Sequence, residues 1–101
     1  MRTEYPIRFK YNAVLEIYWG SETMHARVCD ISVAGMFLEL ANPLWIGATF
    51  SAKLLLQPPL QLDCTVRRVV PHRGMGVQIA FNDSETGKRF AHELGKVTRA
   101  S

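Results

Sequence analysis

Residues 30–38, with the sequence DISVAGMFL, place small polar side chains between two apolar runs. Asp30 and Ser32 are two residues apart, so in extended backbone their side chains emerge on the same face. A carboxylate and a hydroxyl side by side can bind the N–H edge and the carbonyl of a purine. Gly35 supplies either a positive φ or room for close backbone approach. The same residue types also form ordinary turns, so a plain turn is the alternative to a binding site.

Cationic residues gather in two groups, although the overall charge is mild. The chain carries 12 Lys and Arg against 9 Asp and Glu, for a net charge of +3, which is well below the charge of a dedicated DNA-binding protein. Arg67 and Arg68 are neighbours in a predicted strand, so we expect them on opposite faces, one toward a groove and one in solvent. An anion can be bound between the groups if folding brings them together, and solvated surface charge is the alternative. The first group is Arg2, Arg8 and Lys10, opposed by Glu4, and the second is Arg67, Arg68, His72 and Arg73.

The sequence contains no motif typical of an enzyme active site. Its three histidines are isolated, without a partner at metal-binding spacing. Cys29 and Cys64 do not form a CxxC pair, and no glycine-rich loop of the phosphate-binding type leads into a helix. We therefore predict a non-catalytic binding module with no metal and no cofactor.

Turn residues divide the chain into short segments, which is typical of a β protein. Apolar runs predict six strands, and after a cap at Asp83 or Ser84 a helix is predicted from the spacing of Phe90, Leu94 and Val97. Closing the strands on themselves removes exposed edges. The predicted fold class is mainly β, a small six-stranded antiparallel β-barrel with one C-terminal α-helix. The predicted strands are 12–19, 24–31, 36–41, 49–57, 60–70 and 75–81, with residues 1–11 as a flexible N-terminal arm and 12–101 as the barrel domain.

The apolar runs are short. The run 54–56 is far below the ~20 residues that span a bilayer, and residues 1–10 contain no apolar signal segment. We therefore expect a soluble, cytoplasmic protein that does not insert into a membrane. Because thiols stay reduced in the cytoplasm, we expect Cys29 and Cys64 to be free.

The motif residues resemble a signature of the PilZ domain family. Asp30, Ser32 and Gly35 match the family's D/N-x-S-x-x-G motif, and the apolar residues 36–38 follow it as they do in the family. Residues 74–81, GMGVQIAF, are similar to the late strand that precedes the family's C-terminal helix. The resemblance implies a six-stranded barrel that acts as a receptor for the bacterial second messenger cyclic di-GMP.

The family's N-terminal RxxxR motif is matched only in part. Arg8 fits the second arginine, whereas Glu4 stands where the first arginine is expected. Arg2 lies six residues before Arg8, and either Arg2 or Lys10 is the candidate to replace the missing cation. Because guanidinium groups pair with phosphate or stack on guanine, a glutamate at this position argues against tight binding unless another cation replaces the arginine.

Three functions remain open. The leading hypothesis is a cyclic di-GMP receptor in which Arg8, Asp30, Ser32, Gly35 and Arg2 bind the ligand and a downstream protein partner in motility, secretion or polysaccharide control responds. The alternative is a degenerate PilZ-like adaptor that works by protein contact without nucleotide. A third is an oligonucleotide-binding barrel, although the sequence shows no continuous basic and aromatic surface of the kind that binds single strands, so we expect no DNA or RNA partner.

Overall fold

A computed structural model of the chain describes residues 8–81 and 83–100, with side chains described through Lys96. Within this part of the chain, six strands precede one C-terminal helix. The elements are β1 (Phe9–Trp19), β2 (Glu22–Ile31), β3 (Gly35–Glu39), β4 (Thr49–Leu54), β5 (Leu60–Val70), β6 (Gly74–Ala80) and α1 (Ser84–Ala100).

The strands form a closed barrel in the order β1-β2-β3-β6-β5-β4. All pairings are antiparallel, and two of them join strands that are distant in sequence: β3 with β6, and β1 with β4. The pair Leu15 and Leu54 belongs to the β1–β4 ladder that closes the barrel. The predicted six-stranded antiparallel barrel with a C-terminal helix is thereby confirmed.

The core lies inside the barrel and arises from alternation along the strands. In β4, Phe50, Ala52 and Leu54 are buried while the residues between them are exposed. Leu15 and Ile17 on β1 are completely buried. Since successive side chains of a strand point to opposite faces, these buried apolar residues pack inward while the residues between them lie on the outer surface.

The first strand starts earlier than predicted. It begins at Phe9 rather than at residue 12, because Phe9 and Lys10 pair with the last residues of β2. Residues 9–11 therefore belong to the barrel and not to an arm. Residues 1–7, the rest of the predicted arm, lie outside the described residues.

The other strand ends also differ by a few residues. Strand β3 stops at Glu39 and β4 at Leu54, short of the predicted ends at 41 and 57. After Leu54 the chain no longer pairs with β5. Instead, the N–H of Leu55 donates to the carbonyl of Val14 on β1 at 3.0 Å. The prolines that follow cannot extend a ladder, because they lack a backbone donor.

The helix α1 is fixed at its start and along one face. The Thr86 N–H donates to the Asp83 carboxylate at 2.7 Å, which caps the helix. Phe90 and Leu94 are buried, and the Tyr11 hydroxyl donates to Glu93 at 2.9 Å. The helix thus packs on the barrel and is bonded to β1. No helix in the described ranges is long and apolar enough to cross a membrane.

Candidate functional site

A cleft of about 290 Å³ opens on the outer surface where the segment before β1 approaches β3, β6 and β5. Three arginines line it, and no carboxylate is among the lining residues. The cleft is therefore suited to an anion. Its lining consists of Arg8, Ala34, Gly35, Met36, Arg67, Arg68, Gly76, Val77 and Gln78.

The cleft is shaped by a close approach of β3 to β6. Gly35 is paired with Gln78 in the ladder, and a Cβ at Gly35 would lie 1.9 Å from the carbonyl oxygen of Val77. Gly35 is not among the glycines with positive φ. Of the two roles considered for this glycine, room for close backbone approach is the one that the structure shows.

The buried side chain of Ser32 stabilises the turn between β2 and β3. It is completely buried, and its Oγ accepts hydrogen bonds from the N–H groups of Ala34 and Gly35, both at 3.2 Å. The hydroxyl also donates to the Gly35 carbonyl at 3.4 Å. One donor and two acceptor positions are the whole capacity of a serine hydroxyl, so this side chain is fully used within the turn.

The expectation that Asp30 and Ser32 share one face is wrong. Strand β2 ends at Ile31, so the two-residue alternation does not extend to Ser32. Ile31, which lies between them, is buried in the core. Asp30 is consequently half-buried on the outer side while Ser32 is enclosed.

Asp30 forms an ion pair with Arg8. The Arg8 Nε donates to Asp30 Oδ1 at 2.7 Å, and a terminal guanidinium nitrogen lies 2.6 Å from the same oxygen. The two side chains remain 43% and 31% exposed. The arginine of the N-terminal motif and the aspartate of the second motif therefore meet directly, at a place that solvent and ligands can reach.

Arg67 and Arg68 lie on the same side of the sheet, contrary to the expectation that they face opposite ways. The register of β5 against β6 shifts between Val66 and Arg68. Such a bulge inserts an extra residue and suspends the alternation. Both arginines are exposed and both line the cleft.

Other residues hold these two arginines in place. The Arg67 Nε donates to the Gln78 side-chain oxygen at 2.7 Å. The guanidinium carbon of Arg68 lies 5.5 Å from the centre of the Phe37 ring, which is a cation–π arrangement. Among the described residues, neither arginine is paired with a carboxylate.

The predicted site residues are thus brought together in part. Arg8 and Gly35 line the cleft, Asp30 is bonded to Arg8 beside it, and Ser32 supports the adjoining turn from within. Arg2 and Glu4 lie outside the described residues. Sequence reasoning missed Gln78 and Gly76, although a glycine inside a strand, such as Gly76, is a signal for a place where another group approaches the backbone closely.

The strongest pKa perturbations lie away from the cleft. Burial raises the pKa of the Cys64 thiol to about 12. Burial and the hydrogen bond to Glu93 raise the pKa of Tyr11 far above its ordinary value. Within the described residues no group of three His, Cys, Asp or Glu side chains is placed to hold a metal ion. The chemistry offered by the cleft is therefore charge and hydrogen bonding.

These features define a class: a closed six-stranded barrel with a docked helix, whose D-x-S-x-x-G turn borders an arginine-lined cleft. The sequence profile of the PilZ domain matches residues 2–94, and the chain belongs to the PilZ domain family. No curated protein matches it significantly in sequence.

Solved structures share this fold at low sequence identity. Klebsiella pneumoniae MrkH in complex with cyclic di-GMP superposes with a TM-score of 0.83 and 18% identity over 99% of this chain and 54% of MrkH. The Bacillus subtilis inhibitor of motility MotI gives 0.74 and 16% over 99% of this chain and 51% of MotI. The PilZ domain of CeSA from a cellulose-synthesizing bacterium gives 0.66 and 16% over 88% of this chain and 98% of that domain. The chain thus spans about half the length of MrkH and MotI.

Proposed function

We propose that this chain is a receptor for cyclic di-GMP and acts as a non-catalytic effector in bacterial second-messenger signalling. The observation that carries the proposal is the contact between Arg8 and Asp30 beside a cleft that Arg8 shares with Gly35. Residues from both family motifs are therefore adjacent, although they are distant in sequence. The complex of MrkH with cyclic di-GMP, on the same fold, supports this ligand.

The chemistry of the two side chains fits the two parts of the ligand. Cyclic di-GMP carries two phosphates and two guanines. The Arg8 guanidinium pairs with a phosphate or stacks on a guanine, while the Asp30 carboxylate accepts hydrogen bonds from a guanine N–H edge. Ligand binding then replaces the Arg8–Asp30 ion pair by separate charged contacts of each residue with the ligand.

The effect of the ligand is passed on by a change of surface. Arg8 directly precedes β1, and residues of β1 contact both β2 and α1. A ligand that moves Arg8 away from Asp30 changes the charge and shape of the surface offered to a downstream protein, in motility, secretion or polysaccharide control. We place this activity in the cytoplasm and assign it no DNA or RNA partner.

One observation favours a second candidate, an adaptor that binds a protein without nucleotide. Glu4 occupies the position of the first arginine of the RxxxR motif, and loss of one charged hydrogen-bonding contact costs about 1.5–3 kcal/mol. In this adaptor the cleft would bind a protein and no nucleotide.

Isothermal titration calorimetry tests the proposal. We expect saturable binding of cyclic di-GMP with a dissociation constant in the micromolar range or below, and no binding of GMP or a single-stranded oligonucleotide. Asp30→Ala is expected to weaken binding at least about tenfold. Glu39→Ala is the matched control, because its carboxylate forms a similar ion pair with Arg27 away from the cleft.

Absence of heat with the unmodified protein at about 100 μM ligand would overturn the receptor proposal. The adaptor would then be tested by capture of partners from a bacterial extract with and without the dinucleotide. Capture that is independent of the nucleotide is the result expected for the adaptor.

A further inference from the structure

The bulge of β5 brings a second pair of cations to the cleft. Arg67 and Arg68 belong to neither motif of the family, and a regular strand would direct them to opposite faces. The shift of register after Val66 instead places both at the cleft. This local irregularity therefore determines how many positive charges face a ligand.

The two guanidinium groups are held differently. Arg67 uses Nε for its hydrogen bond to Gln78, which leaves its two terminal nitrogens to donate elsewhere. The guanidinium of Arg68 is held beside the cleft by its cation–π contact with the Phe37 ring, and a guanidinium can also stack on a planar base. The first arrangement suits a phosphate and the second suits a base.

The pair also lies apart from Arg8. Arg8 is held at the end of β2 by Asp30, whereas Arg67 and Arg68 are on β5, and β3 and β6 lie between these two strands in the barrel. Cations thus border the cleft on both sides of the β3–β6 pair. An anion with two phosphates can be contacted from both sides.

We propose that Arg67 and Arg68 form a second ligand-binding element, in which Arg67 binds phosphate and Arg68 stacks on a base of the dinucleotide. The inference rests on the proposed function, and it assigns to the β5 bulge the cationic contact that Glu4 cannot make. Gln78 and Phe37 act as positioning residues for the two arginines.

The experiment compares cyclic di-GMP titrations of the unmodified chain, Arg67→Gln, Arg68→Gln and the control Arg73→Gln. Arg73 is an exposed arginine that follows β5 and is not among the residues that line the cleft. We expect each cleft variant to lose about tenfold to a hundredfold in affinity, and Arg73→Gln to stay within about twofold of the unmodified chain. Because the replaced side chains are exposed, melting temperatures should be unchanged.

Two further variants distinguish direct contact of the arginines with the ligand from the positioning of the arginines by their neighbours. Arg67→Lys keeps the charge but not the paired donors, so we expect intermediate affinity. Removal of Arg67 should also reduce the salt dependence of binding, since one fewer cation meets a phosphate. Phe37→Leu should weaken binding through Arg68, and should have no added effect when Arg68 is already glutamine.

The outcomes distinguish this inference from the function on which it rests. If the unmodified chain binds cyclic di-GMP and both cleft variants bind equally well, the second element is wrong while the receptor stands. If the unmodified chain does not bind, both proposals are wrong. Equal losses of affinity in the cleft variants and in Arg73→Gln would show a general charge effect, and would overturn the assignment of Arg67 and Arg68 as ligand contacts.

Discussion

The Arg8 guanidinium donates from two nitrogens to a single oxygen of Asp30, at 2.7 Å and 2.6 Å. This contact joins residues that are 22 positions apart in sequence. It links the residue before β1 to the end of β2. It also holds against each other the two charged groups that we propose as contacts for the dinucleotide. The proposed ligand must therefore compete with an internal ion pair, and the strength of that pair sets part of the expected affinity.

Replacement of Arg8 by glutamine is expected to lower the affinity for cyclic di-GMP by about tenfold to a hundredfold, because one charged hydrogen-bonding contact is lost. Arg27→Gln is the matched control, since Arg27 pairs with Glu39 at 2.9 Å on the same barrel but outside the cleft. Titration calorimetry at constant salt measures both. Equal affinities for the two variants would contradict the role given to Arg8.

Gly35→Ala should destabilise the barrel. A Cβ there would meet the Val77 carbonyl at 1.9 Å, so β3 must separate from β6, at a cost of about 3 kcal/mol or more. Thermal denaturation should show a fall of at least about 10 °C in Tm.

Gly87→Ala is the companion to this test. A Cβ at Gly87 would lie 3.5 Å from the Phe81 ring, an ordinary contact, and alanine favours helix by about 1 kcal/mol over glycine. The two substitutions should therefore shift Tm in opposite directions. A neutral Gly35→Ala would show that the close approach of the strands is not required.

Ser32→Ala is expected to cost about 1–3 kcal/mol of stability, because the N–H groups of Ala34 and Gly35 lose their acceptor. Ser51→Ala, on the exposed face of β4, should change stability by less than about 0.5 kcal/mol. Urea denaturation measures both. A large loss of ligand affinity without loss of stability would instead identify Ser32 as a direct ligand contact.

The two cysteines should differ in reactivity. Burial raises the pKa of Cys64 to about 12, whereas Cys29 is partly exposed, and the thiolate is the reactive species. A thiol reagent at pH 8 should therefore modify one cysteine rapidly, and Cys29→Ser should abolish that phase. Rapid modification of both thiols in the folded protein would contradict this placement.

The raised pKa of Cys64 also predicts a pH dependence of stability. Above pH 9 the unfolded chain loses the thiol proton while the folded chain keeps it up to about pH 12. Since the folded state then binds more protons, stability falls as the pH rises through this window. Cys64→Ala should show a smaller slope of stability against pH between 9 and 11 than the unmodified chain.

Much of the fold could be predicted because each strand of the barrel has one face toward the core and one face toward solvent. Residues such as Leu15 and Ile17 alternate with exposed positions, and that alternation identifies strands without knowledge of their partners. The pairing of β3 with β6 and of β1 with β4 is not encoded in local periodicity. Closure of the barrel was predicted from the need to pair exposed edges, but the order of the strands is a property of the whole chain and was not predicted.

The site was predicted less completely, because it depends on departures from regular strand geometry. The shifts at Cys29 and Arg67 each change which face a side chain occupies, and no residue type at those positions signals a bulge. Asp30 and Ser32 were expected together and are separate because β2 ends between them, whereas Arg67 and Arg68 were expected apart and are together because of the bulge in β5. The motif spacing identified a segment that borders the cleft, but it did not specify the orientation of each side chain.

Closure of the barrel also limits how another protein can bind. Each strand has a neighbour on both sides, so most main-chain donors and acceptors along the described strands are paired within the barrel. Addition of a foreign strand, as at an open sheet, and the edge-to-edge growth that leads to fibres are therefore disfavoured. The proposed downstream protein is therefore expected to bind turns, the helix and outward side chains, so its specificity can evolve by surface substitution while the barrel itself stays constant.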